Sequence, residues 1–288
     1  MKSVLAAAAL ALLAAVSARA DDGGSAGADL TVGSNGYRAV RARASFDLPD
    51  SVYLAPRAAF YRSDEVNGTY KLFGLRGGYE PGRWSFGADA AVQPRVDGYE
   101  KSSLGADAAY SFPLSDSDKK AAFDLGGGVV LTRHSDRFAA AGRGLGRGAE
   151  RTAEFAVRES DLFVFGALRS RAAVLSGRAT SSSYDRDLAA ANARRELLTG
   201  GGGFDAAVFG FPDTILSATL RIKAIPRVEP FVSYTRTTFE LGDPPAHAVE
   251  AGATVYLGRA GLSASVERYR QQGFADRNYL TLGATLDF

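Results

Sequence analysis

Tyr279-Leu280-Thr281-Leu282-Gly283-Ala284-Thr285-Leu286-Asp287-Phe288 closes the chain on an unbroken two-residue period. Leu280, Leu282, Ala284, Leu286 and Phe288 share one side, and Tyr279, Thr281, Gly283, Thr285 and Asp287 share the other. Successive side chains of a strand point to opposite faces, so this is a strand with one apolar face and an aromatic end. In an open sheet such an edge invites pairing with other chains, whereas a barrel closed on itself has no edge. The final ten residues therefore predict an all-β, closed architecture.

The same grammar recurs upstream in segments of about 10 to 12 residues, the length of a tilted membrane-crossing strand. Val40, Ala42, Ala44, Phe46 and Leu48 alternate with Arg41, Arg43, Ser45 and Asp47. After Pro49-Asp50-Ser51, Val52, Leu54, Ala58 and Phe60 oppose Tyr53, Arg57 and Tyr61. Phe73, Leu75 and Tyr79 oppose Arg76; Trp84, Phe86, Ala88, Ala90 and Val92 oppose Asp89; Leu104, Ala106 and Ala108 oppose Asp107; Phe123, Leu125, Val129 and Leu131 oppose Asp124. A charge facing lipid at mid-depth costs about 2–4 kcal/mol, and one facing a wet lumen little. Arg41, Arg43, Arg57, Arg76, Asp89, Asp107 and Asp124 all take the non-apolar parity, which makes them candidate lining residues of a water-filled lumen. A soluble β-sandwich would place a dense core where these faces are Ala-rich.

The carboxyl-terminal strand, with Leu280, Leu282, Leu286 and Phe288, resembles the closing strand of bacterial outer-membrane β-barrel proteins. In that family a terminal aromatic and alternating apolar residues are read by the barrel-assembly machinery. The resemblance implies an antiparallel up-and-down transmembrane barrel in the outer membrane, in contact with its lipid and lipopolysaccharide.

The opposite end agrees. Lys2, an apolar run of about 13 residues from Val4 to Val16, and small residues at Ala18 and Ala20 predict a cleaved signal peptide over residues 1–20, leaving 21–288 as the barrel. The run is short of the roughly 18 to 20 residues a membrane helix needs. Removing Lys2 and Arg19 with it takes the 34 basic residues to 32, equal to the 32 acidic ones. A neutral chain argues against nucleic acid as a partner, since binding phosphates needs a basic surface. With no cysteine, thiolate metal sites and disulfides are excluded, and no cofactor is expected.

The carboxyl-terminal third continues the pattern: Leu216, Ala218, Leu220 and Ile222 against Arg221; a weaker strand over 229–241 with Arg236 assigned inward; Val249 to Leu257 against Glu250; and Leu262, Ala264 and Val266 against Glu267. In the middle, Leu162 to Leu168 is an unbroken apolar run whose faces alternation cannot assign. Counting it, a moderate strand over 172–182 and a short opening strand over 28–34 gives fourteen strands, or twelve if the middle is loop. An even count suits a single-chain barrel with both ends in the periplasm.

Two long connections follow from this reading. Residues 133–152 carry Arg133, Arg137, Arg143, Arg147 and Arg151 among glycines and read as a solvated basic loop able to meet lipopolysaccharide phosphates. Gly142, Gly144, Gly146 and Gly148 miss the spacing of a dinucleotide-binding turn. In residues 183–213, Asp187 is placed to cap a helix from Leu188 to Leu198 that Gly200 to Gly203 would stop; a surface helix is expected, with a lumen plug as the alternative.

Enzymatic chemistry has thin support. Only His134 and His247 are available as bases, and His134 lies two residues from Asp136 on one segment, too little to suggest an omptin-like protease. Ser34-Asn35-Gly36 resembles a fragment of the outer-membrane phospholipase signature, but that family's base lies just upstream and no His precedes residue 134. The expected function is a non-enzymatic, porin-like passive channel for small solutes, with a closed structural or adhesive barrel as the rival.

Overall fold

The computed structural model describes residues 23–64, 68–114, 121–140, 151–192 and 211–288. The expected signal segment lies outside them, as do Arg143 and Arg147.

Fourteen strands follow one another: β1 Gly24–Gly33, β2 Arg38–Leu48, β3 Val52–Arg62, β4 Tyr70–Tyr79, β5 Trp84–Val96, β6 Tyr99–Pro113, β7 Ala121–Ala140, β8 Arg151–Ser170, β9 Ala173–Tyr184, β10 Pro212–Ile222, β11 Val228–Phe239, β12 Ala246–Leu257, β13 Ala260–Gln271 and β14 Arg277–Asp287. Each pairs with its predecessor, and β14 returns to β1, so the sheet is a closed antiparallel barrel. Leu30 stands opposite Leu282 across that seam. Its lower end is tied by Gly24 N donating to Phe288 O at 3.1 Å and Phe288 N to Gly24 O at 3.0 Å. The expected count of fourteen holds, because 159–169 and 173–184 are strands.

We call the end bearing Gly24 and Phe288 the terminal rim and the other the distal rim. Outward side chains form a belt of apolar residues, among them Leu104, Leu162 and Val266 at 62, 67 and 60 % exposure. Water-soluble proteins bury such residues, and a continuous exposed band of them is a lipid-facing surface. Near the terminal rim the band ends in an aromatic arc: Trp84 sits 4.9 Å from Tyr110, which sits 4.7 Å from Phe112. Turns at this rim are tight, and Gly258 takes φ +66° between β12 and β13, where a β-carbon would be strained.

The run Leu162 to Leu168 resolves by register. Leu162, Val164 and Leu168 face out, and Phe163 and Phe165 face in. Both rings lie over glycines of β7: a β-carbon built on Gly126 would come within 2.4 Å of Phe165, and one on Gly128 within 2.6 Å of Phe163. Inward aromatics fit where the neighbouring strand offers no side chain.

Three expectations are corrected. Arg133, Arg137 and Arg151 are not loop residues, because β7 and β8 pair from Ala121↔Ser170 up to Ala140↔Arg151. Above the apolar belt the outward face of this hairpin turns polar, with Arg133, Ser135 and Arg137 opposite Arg158, Ala156 and Glu154, so the outward apolar period stops there. Arg236 faces outward, paired in register with Leu216 and His247, since β11 is in phase with Val232 and Tyr234 on the belt. The start and end of the 185–211 connection turn inward rather than lying on the surface: Leu188 and Phe211 are buried. Asp187 does cap the helical turn at 188–192, accepting from Ala190 N at 3.0 Å.

Candidate channel lining and distal constriction

Closing fourteen strands leaves an interior wider than an eight-stranded barrel fills with side chains, though narrower than a sixteen-stranded porin's. Two cavities occupy it. The first, about 440 Å³, lies against β1, β2 and β10–β14 and is lined by Arg41, Arg43 and Arg221 with Asp29, Glu250 and Glu267. The second, about 700 Å³, lies against β3–β10, with Arg57, Arg76, Lys101 and Arg178 facing Asp89, Asp107 and Asp161. Arg41, Arg43, Arg57, Arg76, Asp89 and Asp107 thus stand on the inner wall. Asp124 is buried on the same face of β7, held by Arg169 of β8.

Opposite charges are not left in separate sectors. Arg57 of β3 reaches Asp89 of β5 at 2.7 Å, and Arg76 of β4 reaches Asp107 of β6 at 2.6 Å, each passing over the strand between. Two strands separate by about 9.6 Å, within the span of an arginine and an aspartate. What makes the passage free is glycine: a β-carbon on Gly74 would sit 2.7 Å from Arg57, and one on Gly87 would sit 2.2 Å from Arg76. Arg43 pairs with Asp29 at 2.9 Å in the first cavity. These bridges lie flat on the wall, with the Arg43 and Arg57 side chains still 58 and 43 % exposed. Arg178 extends over the Phe163 ring at 3.7 Å, a cation–π contact that holds a positive charge inside the lumen.

Towards the distal rim the interior turns apolar. Tyr70, Tyr99, Val157, Leu188 and Phe211 form a buried cluster, with Tyr61, Val96, Phe155 and Tyr184 packed against it. Phe211 stands 5.5 Å from Tyr184 and 5.7 Å from His134. His134 is fully committed: Nδ1 meets the Tyr99 hydroxyl at 2.9 Å and Nε2 meets Glu159 at 2.7 Å, the whole set buried. Tyr184 donates to Pro212 O at 2.7 Å, with Glu159 3.3 Å from the same hydroxyl, which anchors the end of the 185–211 connection to the inner wall. Sequence reading placed His134 in an open loop; the strand instead carries it onto the inward face. His247 stands on the outer face, its Nδ1 2.7 Å from the Tyr234 hydroxyl.

No family model matches the sequence, and no curated protein does either. Solved structures match over most of the chain. CdiB from Acinetobacter baumannii superposes with a TM-score of 0.50 at 10 % identity over 92 % of this chain, which spans 60 % of that one's length. The fold is that of the outer-membrane β-barrel proteins. The barrel is also similar to the outer membrane protein Omp33 of Acinetobacter baumannii (TM-score 0.44, 9 % identity, 92 % of this chain and 98 % of that one). A further match is the KdgM porin in complex with disordered oligogalacturonate (0.42, 7 %, 92 % and 99 %). At such identities the likeness is one of fold.

Sequence parity placed Glu250, Glu267 and Arg221 inward without marking them as candidates, and it missed Asp29, Lys101, Asp161 and Arg178. Glu250 and Glu267 were legible from their alternation with Ala251 and Val266. Arg178 and Asp161 were not, because their strands show weak alternation.

Proposed function

We propose that the chain is exported to the outer membrane and serves there as a non-enzymatic, passive diffusion channel for small hydrophilic solutes. The observation that carries this is the polar lining of both lumen cavities, whose wall charges are nearly balanced: three basic against three acidic groups in the first, four against three in the second. A lumen of that kind admits water and polar solutes and discriminates weakly by charge. The distal cluster around Phe211 would limit size. His134 is held between Tyr99 and Glu159 inside the buried distal cluster, where it serves the packing of that cluster. The orientation that suits this role puts the terminal rim in the periplasm, with Phe288 available to the assembly machinery.

A second reading, a closed structural or adhesive barrel, is favoured by that same buried cluster. Planar-bilayer recording separates the two. A channel gives discrete conductance steps with a reversal potential near zero across a salt gradient; Arg41→Ala with Arg43→Ala shifts it towards cations, Asp89→Asn with Asp107→Asn towards anions, and Phe211→Ala raises the conductance. A silent parent protein would transfer the case to the closed barrel.

A further inference from the structure

Outside the lumen, the distal ends of β11–β14 set a row of basic side chains directly above an apolar groove. Arg236 of β11, His247 of β12 and Arg270 of β13 fall in one register row on the outward face, with Arg268 one step below beside Val249 and Asn278. Adjacent strands lie about 4.8 Å apart, so the row spans about 9.6 Å. Immediately beneath is an outward groove of about 1010 Å³ floored by Val32, Val249, Ala251, Val266 and Leu280. Its floor is exposed, Val249 by 49 % and Val266 by 60 %.

The charge balance of the row is positive. Asp276 alone answers two guanidinia, Arg268 at 2.6 Å and Arg270 at 3.1 Å, both still more than half exposed. Arg236 makes no ion pair among the described residues. Glu267, between Arg268 and Val266, contributes to the lining of the groove as well as to the first lumen cavity, and its inward parity carries it towards the lumen. The Tyr234 hydroxyl holds His247 through Nδ1 at 2.7 Å. Arginine forks favour phosphate, which they grip through two parallel hydrogen bonds.

We propose that this groove is a binding site for one phosphorylated membrane lipid, its acyl chain on the Val249–Val266–Leu280 floor and its phosphate against Arg236, Arg268 and Arg270. An amphipathic anion fits because the apolar floor and the guanidinium row adjoin; a free anion would use only the row. The site is independent of whether the lumen is open.

Native mass spectrometry of the purified barrel in non-ionic detergent micelles tests it, with diphosphorylated lipid A as the probe and dephosphorylated lipid A and inorganic phosphate as comparators. One lipid A is expected to be retained per barrel, with retention at least tenfold weaker in Arg236→Gln/Arg270→Gln. Arg133→Gln/Arg158→Gln, on the outward face of β7 and β8, should bind as the parent does. The lumen charges are untouched in both variants, so conductance is unchanged and a failed channel reading would not be confused with a failed lipid site. The proposal is overturned if the Arg236/Arg270 variant, still migrating differently before and after heating, retains lipid A as the parent does. It is equally overturned if dephosphorylated lipid A binds as well, or if inorganic phosphate displaces lipid A completely.

Discussion

At the scale of single residues, the most informative positions are those with no side chain. Gly74 and Gly87 let Arg57 and Arg76 cross a whole strand to reach their carboxylates. Gly87→Ala would put a methyl 2.2 Å from the Arg76 guanidinium and 2.6 Å from Asp107. We expect it to destabilise the barrel by about 1–3 kcal/mol, as overpacking does. In an Arg76→Ala/Asp107→Ala background the same change should cost almost nothing, because there is no bridge left to displace; urea unfolding from lipid vesicles of the four proteins closes the cycle. An equal cost in both backgrounds would place the strain elsewhere. Which way each of these four charges points, unlike Arg236 or Arg178, was legible from parity alone. Which charge it meets was not: Arg76 and Asp107 are partners only because β4 and β6 flank a glycine of β5, and that follows from register.

At the scale of elements, the hairpin of β7 and β8 rises well beyond the apolar belt. Its upper part is held by side chains: Glu154 accepts from Ser135 Oγ at 2.9 Å and from Arg137 Nε at 3.0 Å. The Arg137 hydrogen bond, assisted by Ser135, holds the Glu154 carboxyl below its ordinary value of 4.5. A carboxylate depressed in the folded state contributes its clasp above the unfolded value and loses it as pH falls through the folded one. Amide-exchange protection of residues 133–137 and 153–157 should therefore be constant from neutrality to about pH 5 and fall below 4.5. Glu154→Gln should remove that acid step; a step that persists would assign it to another carboxylate. This part of the fold was hidden in the sequence for a physical reason. Where lipid no longer faces one side, Arg133, Ser135 and Arg137 cost nothing outward, so the pattern that betrays a strand disappears. The terminal-rim strands stayed legible because Trp84, Phe86 and Leu104 must face hydrocarbon.

At the scale of the whole molecule, thirteen of the fourteen ladders join strands adjacent in the chain, and one joins β1 to β14. That single seam, with Ser25 opposite Asp287, carries the closure. The alternation from Tyr279 to Phe288 announced it, whereas the inward turn at Leu188 and Phe211 left no such mark, since a capped helical turn reads alike on a surface and in a lumen. Because Gly24 and Phe288 exchange backbone hydrogen bonds, the two ends of the folded chain already touch. In consequence the barrel is cyclic in its connectivity: strand number is an order of synthesis, and no strand is structurally first. A circular permutant that joins Phe288 to Gly24 through a short glycine linker and opens at Gly258–Arg259 should refold in detergent to the same heat-modifiable form. We propose that Phe288 also serves as an assembly signal, so that in cells the permutant should fail to accumulate in the membrane. Refolding without export would separate what the ring of strands needs in order to exist from what a cell needs in order to build it.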